Sequence, residues 1–172
     1  ITLAVPMRKI FGLEAYLTTK HFDALAKLCL LTSLIVLYAY LSEFFMAWYS
    51  GEEIERTAFW NRLFGDYWWA TWTMLTCNGL VPIMLWFKRV RHSIPALFVI
   101  SIFINIGMWF ERYVIVVTSL HHEYEPWAWG IYRPSITEMS IMVGSFAWFG
   151  FWFLLFTRLL PPVAIAELKE VI

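Results

Sequence analysis

The sequence predicts an all-α, polytopic membrane protein folded as an antiparallel four-helix transmembrane bundle. Three observations carry this. First, 60% of the 172 residues are hydrophobic and only 15% charged, against about half and a quarter in soluble domains. Second, four apolar stretches, 28–49, 67–87, 96–120 and 139–160, hold 90 residues but four of the 26 charges. Each is near the roughly 20 residues that a helix needs to cross the hydrocarbon core. Third, the basic residues alternate in number from one connection to the next. Arg8, Lys9, Lys20, Lys27, Lys88, Arg89, Arg91, Arg158 and Lys169 fall on one side, and Arg56, Arg62 and Arg133 on the other. Nine against three places both ends of the segment in the cytoplasm. Equal totals of 13 acidic and 13 basic residues say nothing about partners, but so apolar and charge-poor a composition makes nucleic acid an unexpected one. The lipid bilayer is.

Residues 1–27 read as a cytoplasmic interfacial segment. Phe11 to Lys27, with Phe22 and Leu25 set among charges, reads as an interfacial helix running into the first span. The chain opens Ile1-Thr2-Leu3, with no initiator Met and no signal-peptide pattern, and is read as a piece of a longer chain. Between spans one and two, Phe59-Trp60-Asn61-Arg62-Leu63-Phe64 suits a short amphipathic interface helix. Span two has a mildly polar face of Thr73, Thr76 and Cys77, and Pro82 predicts a kink near its inner end. On span three, Ser101, Asn105, Met108 and Arg112 share a face that should point into protein, because lipid cannot satisfy it. The outer connection 121–138 holds Trp127, Trp129 and Tyr132, suited either to a membrane belt or to partner docking. Span four carries Ser140, Gly144 and Ala147 on one face, where another helix can come close. Residues 161–172 form a cytoplasmic tail.

Cys29 and Cys77 stand singly inside spans, as small buried apolar residues. His21, His92, His121 and His122 lie outside the spans or at their ends. A haem within the bundle would need facing axial histidines inside it, so no haem is expected here, and no metal. Three charges remain at depth: Glu43 about 9 Å, and Glu111 and Arg112 about 12–14 Å, below the outer ends of their helices. Each costs roughly 2.5–3.5 kcal/mol at a helix centre, so an intramembrane ionisable group calls for a role. Two are open: an ion pair of Glu43 or Glu111 with Arg112 that pins helix one to helix three, or a proton-handling or quinone-headgroup site near the outer face. Arg158 lies close enough to the inner end to snorkel.

Specific strings add to this. Met7-Arg8-Lys9-Ile10-Phe11-Gly12-Leu13-Glu14, Lys20-His21-Phe22-Asp23, Glu43-Phe44-Phe45-Met46-Ala47-Trp48-Tyr49-Ser50-Gly51 and Asn105-Ile106-Gly107-Met108-Trp109-Phe110-Glu111-Arg112-Tyr113 together resemble the NrfD/polysulfide-reductase membrane subunit family. Within it, they are most similar to the quinol-side member of alternative complex III. The resemblance implies two four-helix bundles in the full-length protein, of which this segment looks like the second. It implies no cofactor bound within the segment, with quinol (menaquinol) as substrate. Partners implied are an iron–sulfur protein on the outer face, a companion NrfD-like membrane subunit, c-type cytochrome subunits bearing haems, and a terminal oxidase. Arg112 matches a buried family arginine near the quinol pocket and Glu111 the acid beside it. Glu43 matches a position for proton transfer, and His21 and Asp23 are candidates for a proton route. The Trp127, Trp129 and Tyr132 loop fits docking of the iron–sulfur subunit. The function so implied is that of a subunit, inactive alone, of a quinol-oxidising complex in the bacterial inner membrane. A proton-conducting or anchoring subunit of the same kind of complex, or a solute transporter fragment, are the alternatives.

Overall fold

In the computed structural model residues 1–121 and 132–160 are described, and among them the regular structure is helical, with no strand. The chain divides into two compact units, Ile1–Ile131 and Tyr132–Ile172, and each is taken by itself. Three helices are long and apolar enough to cross a membrane: α2 (Thr19–Tyr49), the Ile94–Thr118 part of α7 (Ile94–His121), and α8 (Ile136–Leu159). The protein is a multi-pass membrane protein.

The second apolar stretch is helical but broken. It runs as α4 (Trp68–Leu75), a π-helical turn (Thr76–Leu80), α5 (Val81–Ile83) and a 3-10 turn (Met84–Trp86). Pro82 supplies the reason. It has no N–H for the carbonyl of Asn78, four residues back, and its ring crowds that carbonyl. The chain answers by widening the preceding turn, where the Val81 N–H donates to Thr76 O, five residues back. The disturbance expected at Pro82 therefore begins a full turn earlier.

Two clusters hold the first unit together. Near one end Phe22, Ala26, Leu85, Leu97 and Ile100 are buried together. Near the other Tyr40, Ala70, Met74 and Val114 are. Low-numbered residues of α2 and α7 meet in one cluster and high-numbered ones in the other, while residues 68–86 contribute in reverse order. So α2 and α7 run parallel, and the broken helix runs antiparallel to both. Between apolar helices in lipid the hydrophobic effect adds little, and close approach of small residues does more. Ala26 and Ala70 are fully buried at such contacts.

The amino-terminal segment differs from a single interfacial helix. A short α1 (Ala4–Ile10) is followed by turns, and α2 is continuous from Thr19. Phe22, placed by the sequence among interfacial residues, is 1% exposed in the core. Of the polar face expected to turn into protein on α7, Ser101 is buried, whereas Asn105, Met108 and Arg112 are exposed. Thr2 serves this face: its hydroxyl donates to Ser101 Oγ at 2.9 Å and accepts from Asn105 Nδ2 at 2.8 Å.

Asp23 ties α2 to the connection between the broken helix and α7. Its carboxylate meets Lys27 Nζ at 2.7 Å and Arg91 Nε at 2.9 Å, both side chains of the latter pair being under a fifth exposed. We expect Asp23→Leu to lower stability, and Asp23→Leu/Arg91→Leu together to cost less than the sum of the single changes. Thermal melts in detergent would give that coupling, and strict additivity would contradict it.

The Glu53–Phe64 connection is helical (α3), as its amphipathic pattern predicts. In the second unit, Ser135 caps α8. Its Oγ accepts from Glu138 N at 3.3 Å, and Ser135 N donates to Glu138 Oε2 at 2.6 Å, a reciprocal box. No residue of α8 is buried, and a Cβ added at Gly144 or Gly150 would meet nothing within 4 Å among the described residues.

Candidate functional site: a half-buried carboxylate between three helices

Glu111 sits on α7 ten residues before its end, about 15 Å along the helix. Its Oε2 accepts the Tyr40 hydroxyl of α2 at 2.6 Å and Asn78 Nδ2 of the π turn at 3.3 Å. Asn78 Nδ2 also reaches the Tyr40 hydroxyl at 3.1 Å and Met108 Sδ at 3.6 Å. Tyr40 is 9% and Asn78 3% exposed. The 2.6 Å phenol–carboxylate contact lies in the range of charge-assisted hydrogen bonds.

The π turn makes this meeting possible. One extra residue in the turn rotates the following side chains and carries Asn78 toward α7. There Gly107 leaves room: a Cβ at that position would collide with Asn78 Oδ1 and stand 2.7 Å from Cys77 Cβ. Asn78 Oδ1, facing Gly107, is buried without a hydrogen-bond partner. Neither Tyr40 nor Asn78 is singled out by the sequence. The available signal was an Asn-Gly pair inside a 21-residue apolar stretch that holds no charge.

The other candidate residues fall elsewhere. Neither of the ion pairs expected from Glu43 or Glu111 to Arg112 forms among the described residues. Arg112 follows Glu111 directly, so a helical turn of about 100° separates their side chains. Glu111 turns to α2 and the π turn, while Arg112 is exposed beside Met108. Glu43 pairs with Arg62 of α3 at 3.1 Å, and the Arg62 guanidinium also stands 5.0 Å from the Phe59 ring centre. Glu43 is more than half exposed in that pair, so Glu43→Gln should change stability by under about 1 kcal/mol in detergent. A larger loss would mark Glu43 as more than a tie between α2 and α3.

His21 Nδ1 contacts the Thr18 hydroxyl at 2.9 Å. Asp23 is held by its two cations, as described. Tyr132 donates to Glu138 Oε2 at 2.8 Å, while Trp127 and Trp129 lie outside the described residues. An aromatic group stands beside the site. Trp69 packs edge-on to Phe110 at 5.6 Å, Trp109 stacks on Tyr113 at 5.8 Å, and Tyr67 meets Tyr113 at 6.1 Å. No group of three potential metal ligands occurs among the described residues.

Chemically, the arrangement is a carboxylate inside an apolar helix cluster, held by two neutral donors and no cation among the described residues. Such a group can exchange a proton without breaking an ion pair.

A search among curated proteins gave no match. Residues 4–122 match the family described as polysulphide reductase, NrfD. That span covers α1 through α7 and every member of the Tyr40–Asn78–Glu111 cluster. The chain belongs to the NrfD polysulphide-reductase family, whose members are membrane subunits of redox enzyme complexes that partner with iron–sulfur subunits.

Proposed function

We propose that this chain is the membrane subunit of a respiratory quinol:electron acceptor oxidoreductase of the alternative complex III kind. It contributes to menaquinol oxidation near the outer face of the bacterial inner membrane, with both ends of the segment cytoplasmic. Its four spans form one antiparallel bundle of a longer chain. The observation that carries the reading is the half-buried Glu111 carboxylate, hydrogen-bonded by the buried Tyr40 and Asn78 rather than neutralised by an arginine. A quinol gives up two electrons and two protons. The electrons pass to an iron–sulfur partner and on to c-type cytochromes and a terminal oxidase. Glu111 receives a proton, and Tyr40 and Asn78 fix its orientation. Arg112, facing out of the unit beside Met108, meets a headgroup oxygen. Protons leave past the Glu43–Arg62 pair at the outer end of α2. The loop of Trp127, Trp129 and Tyr132 docks the iron–sulfur subunit, and a companion NrfD-like subunit packs alongside. A proton route through His21 and Asp23 at the other end would require opening the Asp23–Arg91 tie.

The test is made on the complex gently purified through this chain. Menaquinol is added, and reduction of the co-purified iron–sulfur and haem centres is followed by absorbance and electron paramagnetic resonance. Prompt, inhibitor-sensitive reduction is expected. A complex with no redox centres, or centres that quinol leaves oxidised, would overturn the reading in favour of an anchor or a transporter.

A further inference from the structure

The basic end of the first unit has a fixed corner whose features are not used by the proton site. The 3-10 turn Met84–Trp86 closes on Phe87, whose backbone is extended (φ −76°, ψ 122°), and α6 (Lys88–Arg91) starts immediately after it. Leu85 points inward and is 1% exposed, while Trp86 and Phe87 are each 65% exposed. Arg91 clamps the corner. Besides its ion pair with Asp23, it donates to the carbonyls of Leu85 and Trp86, both at 3.0 Å, capping the end of the broken helix. Its charge is consumed there. Lys88 and Arg89 are exposed and have no acidic partner among the described residues.

A second basic pair comes from α1. Ala4 and Val5 pack on the cluster that buries Leu85 and takes Val90 at its edge, so Arg8 and Lys9 lie at the same end of the unit. Arg8 Nε is enclosed and has no hydrogen-bond acceptor. Ile10 and Phe11 follow, exposed. Both segments therefore set exposed cations, Lys88 and Arg89 in one and Lys9 in the other, next to exposed apolar side chains at the end of a membrane-spanning unit. The order suits a lipid boundary: rings belong at the acyl–headgroup junction, and cations at the level of the phosphates. Setting the orientation of the chain requires only the number of cations. It does not require a clamped turn that throws two rings outward.

We propose that this corner is a binding site for an anionic phospholipid. Lys88 and Arg89 hold the phosphodiester, Trp86 and Phe87 lie along the acyl chains, and Lys9 supplies a further cation at the same end. The site is independent of the Glu111 cluster and of the quinol reading.

The experiment uses the intact complex, washed in detergent and equilibrated with mixed micelles of phosphatidylglycerol and phosphatidylcholine of identical acyl chains. Retained lipid per complex is measured by mass spectrometry. Preferential retention of phosphatidylglycerol is expected, undiminished by millimolar inorganic phosphate. Lys88→Gln/Arg89→Gln should weaken it about 30-fold, two cations each contributing roughly five- to sixfold. Because that variant also alters the charges that orient the chain, Trp86→Ala/Phe87→Ala is measured beside it. This second pair keeps every charge and should also lower retention. Equal retention of the two lipids would overturn the proposal, as would displacement by inorganic phosphate alone or retention unchanged in both variants. Charge-dependent binding that requires a co-purified acidic protein instead of lipid would overturn it as well.

Discussion

Glu111→Gln is expected to lower quinol turnover of the assembled complex by roughly 10²–10⁴-fold, the range that a positioned proton acceptor supplies. The change is nearly isosteric. A Gln carbonyl can still accept from Tyr40 and Asn78, so the contacts at 2.6 Å and 3.3 Å are kept in kind. What is lost is the ability to take up a proton. Assembly and thermal stability should change little, and the quinol concentration giving half-maximal turnover should move less than the maximal rate. Tyr40→Phe removes one donor and leaves the carboxyl, so it should cost only about a tenth to a hundredth of the activity effect of Glu111→Gln. Steady-state turnover of purified variants with a water-soluble menaquinol analogue would give these ratios. A Glu111→Gln complex that turns over normally would show that the carboxylate is a structural polar tie between α2 and α7.

The second large effect is expected at Gly107. An added methyl would meet Asn78 Oδ1 and lie 2.7 Å from Cys77 Cβ and 2.8 Å from Asn78 Cγ. Cys77 Cβ is fixed to the backbone of the π turn and the buried Asn78 amide is held by its hydrogen bonds, so α7 and the broken helix must move apart. Overpacking of this kind costs about 1–3 kcal/mol, and retreat of Asn78 also removes a donor from Glu111. Gly107→Ala should therefore lower the melting temperature in detergent and reduce turnover together. Asn78→Ala in the same chain removes the colliding amide, and the double variant should recover part of the stability but not the activity. If Gly107→Ala melts with the wild type, α7 and the π turn do not approach as closely as described.

Much of the fold was legible because its signals are local along the chain. Length and apolarity mark helices at 28–49, 96–120 and 139–160 without reference to any neighbour, and the structure has helices there. The helix at Phe59–Phe64 and the disturbance around Pro82 were likewise written in short strings. The candidate site was half legible. An acid deep in an apolar helix stands out by its desolvation cost alone, so Glu111 could be found, but its partners could not. Hydropathy treats Tyr40 as one more aromatic. It gives Asn78 no weight against the twenty other residues of its stretch, so the pairing with the nearest arginine looks natural.

The sequence by itself determined that the chain crosses a membrane, where three long apolar helices lie, and that a carboxylate sits well inside one of them. Only the tertiary structure decided which groups meet that carboxylate. Facing depends on helix rotation, and rotation here depends on one widened turn before Pro82 and on the missing side chain of Gly107. Those two features bring Asn78 against α7 and within reach of Glu111. Adjacent residues on a helix point about 100° apart, so Glu111 and Arg112, inseparable in the sequence, belong to different surfaces of the molecule.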